Sequence, residues 1–541
     1  MARAVALAAA LAVTLLAVSG TGGAPAQTPK RGGTVVYAMG SDIFQCLSPV
    51  NARCFMPLFF DIVLEPAFTL TPDNRYRPRL VSGAEVTPKA PFTITYHIRP
   101  EARWSDGVPV TAQDFEFTHT AIVRHRPSEL QGAHAHVRSV RAAGAKTVSV
   151  VLRSRFAGWR TLFSFTGARV LPRHALRGQN LEEIWSDGIE DPRTGAPIGS
   201  GPFLLQRWER GTQMTFVRNR NYWGRHTAYL DRVALWFCRG CRGLSPDEVA
   251  AALRQGDVDM ALTADPAVSE LRRVPGTRIL ALPLLAVDHL ALRLGPGGHP
   301  KLRDKRVRRA LAYGIDRAQI ARVIFGELDP NYAASDNVIF PNSSHSYRPN
   351  WDVYRHRPER ARRLLEEAGC RRGPDRFYEC DGQRLSLRFW APAGATHRAR
   401  ALELVQRHLR RLGVDVSLGF APAPTLFNEI IPSGAFDGAL FLFFDVDQSG
   451  DDIYGCGGSR NYTGYCQRLV TRDLDQSERI LDAERRAVVL NRADAQLARD
   501  VPVIPLYAPS HVIAFRSAVR NVAARTPAHE LWNAENWWLD R

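Results

Sequence analysis

The residues best equipped for chemistry lie between positions 443 and 466. Phe443-Phe444-Asp445-Val446-Asp447-Gln448-Ser449-Gly450-Asp451-Asp452 sets a cluster of carboxylates behind two aromatic rings. Cys456 and Cys466 then bracket Asn461-Tyr462-Thr463-Gly464-Tyr465. The run begins as a calcium loop would, with the pattern D-x-D-x-S-G-D. Its twelfth position is Cys456 rather than Glu, however, and no flanking helix pair is evident, which argues against an EF-hand. A solvated acidic loop beside a disulfide is the plain alternative. A second concentration of polar chemistry is His134 and His136, with His119 and His125 upstream. Imidazole suits Ni or Zn, so a metal-carrying role is conceivable, but scattered His pairs are usually surface residues and no metal site is assigned. The catalytic motifs G-x-S-x-G, H-E-x-x-H and G-x-x-x-x-G-K-[ST] are missing. Gly295-Pro296-Gly297-Gly298 is interrupted by proline and does not open a helix, so it is no dinucleotide site. No catalytic residue and no cofactor is expected.

Eight cysteines stand in four sequence-local pairs, Cys46 with Cys54, Cys238 with Cys241, Cys370 with Cys380 and Cys456 with Cys466. In an oxidising compartment they read as four small disulfide loops. Cys238-Arg239-Gly240-Cys241 also has the form of a redox motif, but it follows a strand-like run without a thioredoxin-like context. The N-terminus agrees with export. Arg3 precedes an apolar run over residues 4–18, and Ala24-Pro25-Ala26 offers a cleavage pattern before Gln27. That run is shorter than a membrane span, and no cysteine near the cleavage pattern signals a lipid anchor. A soluble periplasmic protein is therefore expected, and a monomer. The 71 basic and 54 acidic residues give a formal charge of +17. The arginines are spread along the chain rather than gathered in a stripe and no nucleic-acid motif accompanies them, so nucleic acid is not an expected partner.

The elements that must position these residues alternate between strands and helices, which points to an α/β fold. Residues 92–99 alternate with period two and predict a strand. Thr111 predicts a helix N-cap, with Asp114 completing a capping box. Residues 57–71 read as a helix-like apolar run. Later segments give a helix over 249–254 stopped by Gly256, an amphipathic helix pair over 301–326, and helices over 358–368 and 398–412. Strands are predicted at 203–208, 213–218, 258–262, 385–390, 414–418, 438–444 and 501–507. Met39-Gly40-Ser41-Asp42 closes the first strand, and Trp532, Trp537 and Trp538 are read as anchors of the tail.

Seven segments in order resemble the family 5 extracellular solute-binding proteins, which include the dipeptide- and oligopeptide-binding proteins of ABC importers. They are Gly32-Gly33-Thr34, the stretch from Trp104-Ser105-Asp106-Gly107 to Gln113-Asp114, and Gly199-Ser200-Gly201-Pro202-Phe203. Arg218-Asn219-Arg220-Asn221-Tyr222-Trp223-Gly224, Gln255-Gly256-Asp257-Val258-Asp259, residues 304–317 and Val501-Pro502-Val503-Ile504-Pro505-Leu506 follow. Together they span nearly the whole chain after residue 26. Each has a scaffold role, so the resemblance speaks to fold before ligand.

The resemblance implies an α/β, two-lobed periplasmic-binding-protein-like clamp. Its first lobe would comprise 27–60, 195–280 and 490–541, with an inserted subdomain at 61–194, and its second lobe 281–489. The chain would cross the hinge near 275–285 and again near 485–495. A peptide-like or other small polar solute would be held in the interlobe cleft and delivered to ABC permease subunits. In peptide-binding relatives a Trp-containing strand leads to an Asp that holds the peptide ammonium group, a strong charge-assisted pairing. Here Phe443 or Phe444 replaces that Trp, Asp447 is the best match for the Asp, and Asp445 is second. Met39, Ser41, Asp42, Asn461, Tyr462 and Tyr465 would line the same cleft. The alternatives are an exported hydrolase or thiol redox enzyme using Cys238 and Cys241, or a metal-chelate binder of the same fold.

Overall fold

The computed structural model describes residues 28–40, 46–48, 50, 58–71, 75–125, 131–164, 169–237, 244–443, 450–523 and 531–541. The alternating stretch folds as Thr93–Ile98, with every second residue buried. It sits in a four-stranded antiparallel sheet between Val81–Val86 and Thr147–Leu152, and Val137–Gly144 completes that sheet. The helix predicted after Thr111 runs from Ala112 to His125. Asp114 closes its start by accepting from the Thr111 backbone amide at 2.7 Å.

A seven-stranded sheet follows the order Thr277–Pro283, Ser510–Arg516, Met260–Thr263, Thr34–Met39, Arg232–Phe237, Gln213–Arg218, Phe203–Glu209. Thr34–Met39 is parallel to both Arg232–Phe237 and Met260–Thr263. One face packs into the same apolar core as the four-stranded sheet, so Tyr37, Phe216 and Leu235 share a core with Ile94, Tyr96 and Val150. Phe115, Trp159 and Phe163 fill the junction around Tyr96 with ring centroids 5.9 to 6.2 Å away. The other face is covered by the helix Pro246–Gln255 through Val249 and Leu253. Ser245 and Glu248 form a full capping box at its start. Gly256 ends it in the left-handed conformation that glycine adopts without strain.

A five-stranded sheet has the order Asp415–Ala421, Ser386–Pro392, Gly438–Phe441, Asp288–Leu292, Val503–Tyr507. It builds a separate core with the helices Lys305–Gly314, Arg317–Phe325, Pro358–Glu367 and Thr396–Leu412. Val307, Ala310 and Leu311 give that core the apolar face expected of the first of these helices.

Two expectations differ from the structure. Residues 57–71 are not one helix. Leu58–Ile62 is a single tight helical turn and Phe68–Leu70 is a strand. Residues 60–70 are buried on every side, so the sequence carries no period by which to choose, and Gly199 and Gly201 press their Cα atoms onto this turn. A Cβ at Gly201 would lie 2.2 Å from the Ile62 carbonyl oxygen, which only glycine avoids. The second passage between sheets is not at 485–495. Val503–Tyr507 pairs with Asp288–Leu292 in the five-stranded sheet, and the chain returns to the seven-stranded sheet through residues 508–509. Trp537 and Trp538 are buried, as a tail anchor requires. No helix among the described residues is long and apolar enough to cross a membrane.

Candidate functional site

The directions of the strands locate the site. Ser510–Arg516 runs antiparallel to both Met260–Thr263 and Thr277–Pro283. Met39, Phe237, Thr263 and Pro283 therefore lie at one end of the seven-stranded sheet, the end where the chain leaves it. In the other sheet Ser386–Pro392 is parallel to Gly438–Phe441 and Asp415–Ala421. Phe441 lies opposite His289, directly after the crossing. Both sheets thus turn the carboxyl ends of their parallel strands towards the crossover, the place where open α/β sheets bind ligands. The crossover has two strands, residues 284–287 and 508–509, joined by a hydrogen bond from the Leu284 amide to the Pro509 carbonyl at 2.9 Å. Tyr332 braces the second strand by donating to the Ala508 carbonyl at 2.5 Å.

Immediately beyond the hinge stands a buried ion pair. Arg398 Nε lies 2.7 Å from Asp288 Oδ1, and His397 Nε2 lies 3.6 Å from Oδ2. Burial alone would raise the Asp288 carboxyl, but Arg398 and His397 outweigh it and hold the group below the ordinary carboxylate value. Tyr507 is fully buried beside this pair. Burial and the Asp288 charge push its phenol well above the usual range, so it remains protonated. The Tyr507 hydroxyl and Asp288 Oδ2 have no hydrogen-bond partner among the described residues.

His289 begins an aromatic column. Its Nδ1 contacts the Val287 carbonyl at 3.0 Å and therefore carries the proton, which leaves Nε2 as a lone pair. Burial lowers its pKa and keeps the ring neutral. The ring stacks on Phe443 at 5.6 Å, Phe443 stacks on Tyr462 at 5.8 Å, and Arg460 lies over Phe443 at 5.4 Å. A narrow cavity beside the column is lined by Leu285, Val287, His289, Ile339, Phe443 and Tyr454. Among the described residues the arrangement offers flat apolar faces and one acceptor nitrogen beside a hinge, which suits holding a molecule.

Of the residues expected to line the cleft, Phe443 and Tyr462 are brought together in this column. Met39 is half-buried at its sheet end, against the first core. Asn461 spends its side chain on the loop, donating to the carbonyls of Gly455 and Tyr465 at 2.7 Å each and accepting from Thr463 at 2.8 Å. Tyr465 is buried and donates to Asp500 at 2.8 Å. Ser41, Asp42, Phe444, Asp445 and Asp447 lie outside the described residues, as do Cys54, Cys238 and Cys241. Cys370–Cys380 and Cys456–Cys466 are disulfides, and Cys46 is disulfide-bonded as well.

The histidines are drawn into separate local contacts. His119 and His134 meet through their Nδ1 atoms at 3.0 Å, His125 bonds Glu182 at 2.9 Å, and His136 stacks on Phe156 at 4.1 Å. Among the described residues no three His, Cys, Asp or Glu side chains converge as metal ligands would. Sequence reasoning missed Asp288, His289, His397 and Arg398. The available signal was a charged Asp-His pair opening an otherwise apolar strand.

Three comparisons bear on this geometry. Residues 75–461 match the family described as bacterial extracellular solute-binding proteins, family 5. The oligopeptide-binding protein OppA of Mycobacterium tuberculosis is 27% identical over 485 residues, covering 85% of this chain and 76% of that protein. Among solved structures, the periplasmic EDTA-binding protein EppA superposes with a TM-score of 0.81 at 21% identity, over 95% of this chain and 98% of that one. The oligopeptide-binding protein AppA of Bacillus subtilis, solved with a nonapeptide, superposes with a TM-score of 0.73 at 19% identity, over 95% and 100% of the respective chains.

Proposed function

The chain belongs to family 5 of the bacterial extracellular solute-binding proteins, and on that premise we propose that it captures a peptide-like solute between its two sheets. It then delivers that solute to the membrane permease of an ABC importer. The observation that carries this reading is the column of His289, Phe443 and Tyr462 at the hinge. Its flat faces suit side chains and peptide planes, and the neutral His289 nitrogen suits an amide donor. Asp447 would take the α-ammonium group, with Asp445 as its alternate. Phe444, Met39, Ser41 and Asp42 would complete the walls.

The clamp divides into a first lobe of residues 28–283 and 510–541, including the inserted subdomain, and a second lobe of 288–507. Closure over the solute is stabilised by contacts made only in the closed state. The solute leaves unchanged. Export through the N-terminal segment places the protein where it meets external solutes.

Thermal unfolding of the purified protein against a panel of peptides and metal chelates tests this reading. Binding to the folded state alone raises the midpoint by mass action. Peptides with a free amino terminus should raise it, N-acetylated versions should raise it much less, and Asp447→Asn should abolish the difference. A shift with Fe-EDTA and none with any peptide would overturn the peptide reading.

A further inference from the structure

A second cavity, of about 550 Å³, lies away from the cleft. Thr34 and Arg232 mark the end of the seven-stranded sheet opposite the crossover. There the Gly32 amide bonds the Tyr229 carbonyl and the Tyr229 amide bonds the Glu535 carbonyl. Glu535 and the nearby segment 222–226 line the cavity together with the hairpin residues 77–79. Solute in the interlobe cleft does not reach it.

Its floor is a built network. Glu65 is wholly buried and clamped by Arg79 at 2.9 and 2.8 Å, with the Tyr222 hydroxyl donating to it at 2.5 Å. Arg79 also reaches Glu535 Oε1 at 3.2 Å. Glu535 is 8% exposed, and its second oxygen, Oε2, is buried with no partner among the described residues. Two carboxyl groups thus share one guanidinium, and one acceptor, Glu535 Oε2, is left unused among the described residues.

The rim has the opposite character. Arg77 and Arg225 are exposed and line the cavity without a carboxylate partner among the described residues. Arg99 is fixed by its Nε bond to the Arg79 carbonyl at 2.6 Å, and Glu101 stands 3.9 Å from its Nη1. Tyr222, Trp223 and Trp532 add aromatic wall.

We infer a second binding site here, separate from the cleft, for a small oxyanion-bearing ligand that also carries a hydrogen-bond donor. The guanidinium groups of Arg77, Arg99 and Arg225 take the phosphate or carboxylate, for which their planar donors are matched. A hydroxyl or amine of the same ligand bonds Glu535 once a rotation of its carboxylate brings Oε2, sealed from the cavity in this structure, to the wall; the unpaired burial of that oxygen is otherwise a cost. Glycerol phosphate presents this combination, free in solution or as the headgroup of an anionic lipid.

Calorimetric titration of the full chain with glycerol 3-phosphate and with inorganic phosphate tests the site. Flotation with phosphatidylglycerol vesicles, against phosphatidylcholine vesicles, distinguishes the lipid source. Glycerol 3-phosphate should bind more tightly than phosphate. Arg77→Ala with Arg225→Ala, both on the exposed rim, should weaken it at least about tenfold, a loss of about 1.4 kcal/mol. Glu535→Gln should narrow the preference for glycerol 3-phosphate over phosphate, because the acceptor it removes contacts only the hydroxyl. Vesicle binding that depends on Arg77 and Arg225 would assign the headgroup as the source. No binding of either soluble probe at about 10 mM together with no vesicle binding, or binding indifferent to the double substitution, would overturn the inference. Asp447→Asn should leave this site untouched, so its failure and failure of the cleft reading are separable.

Discussion

Glu327 of the second lobe caps a helix of the first, its Oε2 accepting from the backbone amides of Val268 at 3.0 Å and Ser269 at 3.1 Å. The next residue, Leu328, packs against the apolar cores of both lobes. On the inserted subdomain, the Ala157 amide reaches the Glu478 carbonyl at 2.6 Å. The lobes therefore touch outside the hinge, as closed jaws do. Bonds to a charged acceptor contribute about 1.5–3 kcal/mol each when burial is good, and less where water competes. Glu327→Ala should shift the open-closed balance by roughly five- to thirtyfold, a change of about 1–2 kcal/mol. Small-angle scattering should show a larger radius of gyration without solute, and solute should dissociate faster. An unchanged radius and an unchanged off-rate would show that Glu327 has no part in closure.

Asp494 should tie stability to pH. It accepts from the Val338 amide at 2.9 Å, Asn350 Nδ2 at 2.7 Å and Trp351 Nε1 at 3.2 Å. Burial nevertheless outweighs these donors and pushes its pKa up to about 7. The unfolded chain loses this proton near the ordinary aspartate value of about 3.9. Between those values the folded state holds more protons, so this contribution is complete below about pH 4 and is lost as pH rises through about 7. Asp494→Asn carries no such proton. Its unfolding midpoint relative to wild type should climb from pH 4 to pH 8, and a flat difference would contradict the assignment.

The His119–His134 contact should act in the opposite sense. His134 Nε2 lies 2.9 Å from the Leu162 carbonyl, so it carries the proton there and Nδ1 accepts from His119. Burial, aided by His119, pushes the pKa of His134 down to about 3. Its contribution is complete above about pH 6.5, the unfolded value, and is lost as pH falls towards 3. The protection of amides in Thr93–Ile98 and Thr147–Leu152, taken relative to their intrinsic exchange rates, should fall on acidification through this window. His134→Gln should remove that part of the pH response.

The two described disulfides should separate stability from binding. Each closes a loop with a sequence separation of 10, for which chain entropy predicts about 2–3 kcal/mol. Replacing Cys370 and Cys380 by Ala should cost that much stability and leave peptide affinity unchanged. Replacing Cys456 and Cys466 should weaken binding as well, because that loop carries Arg460 and Tyr462 against Phe443. Equal effects on affinity from both pairs would contradict this division.

Much of this architecture was legible wherever one face is buried and a cap or turn residue marks the end. Thr93–Ile98 and Pro246–Gln255 are such cases. Legibility failed where burial is complete. Residues 60–70 carry no period because nearly every side faces protein, and the apolar strand read at 501–507 does not say which sheet it joins. Only its pairing with Asp288–Leu292 assigns it to the five-stranded sheet, which is why the second crossing lay elsewhere than expected. In the site, the aromatic residues of the 443–466 segment could be found from composition. For Asp288 the only signal was the Asp-His pair opening an apolar strand, and its partner Arg398, 110 positions away, is not announced by it.

The most direct test is titration calorimetry of free-amino peptides, two to nine residues long, into the exported protein, with mass spectrometry of the peptide afterwards. Saturable binding of one intact peptide per chain, weakened by Asp447→Asn and by Tyr462→Ala, is the result the proposed function predicts. Cleaved or altered peptide, or no heat from any peptide tried, would contradict it.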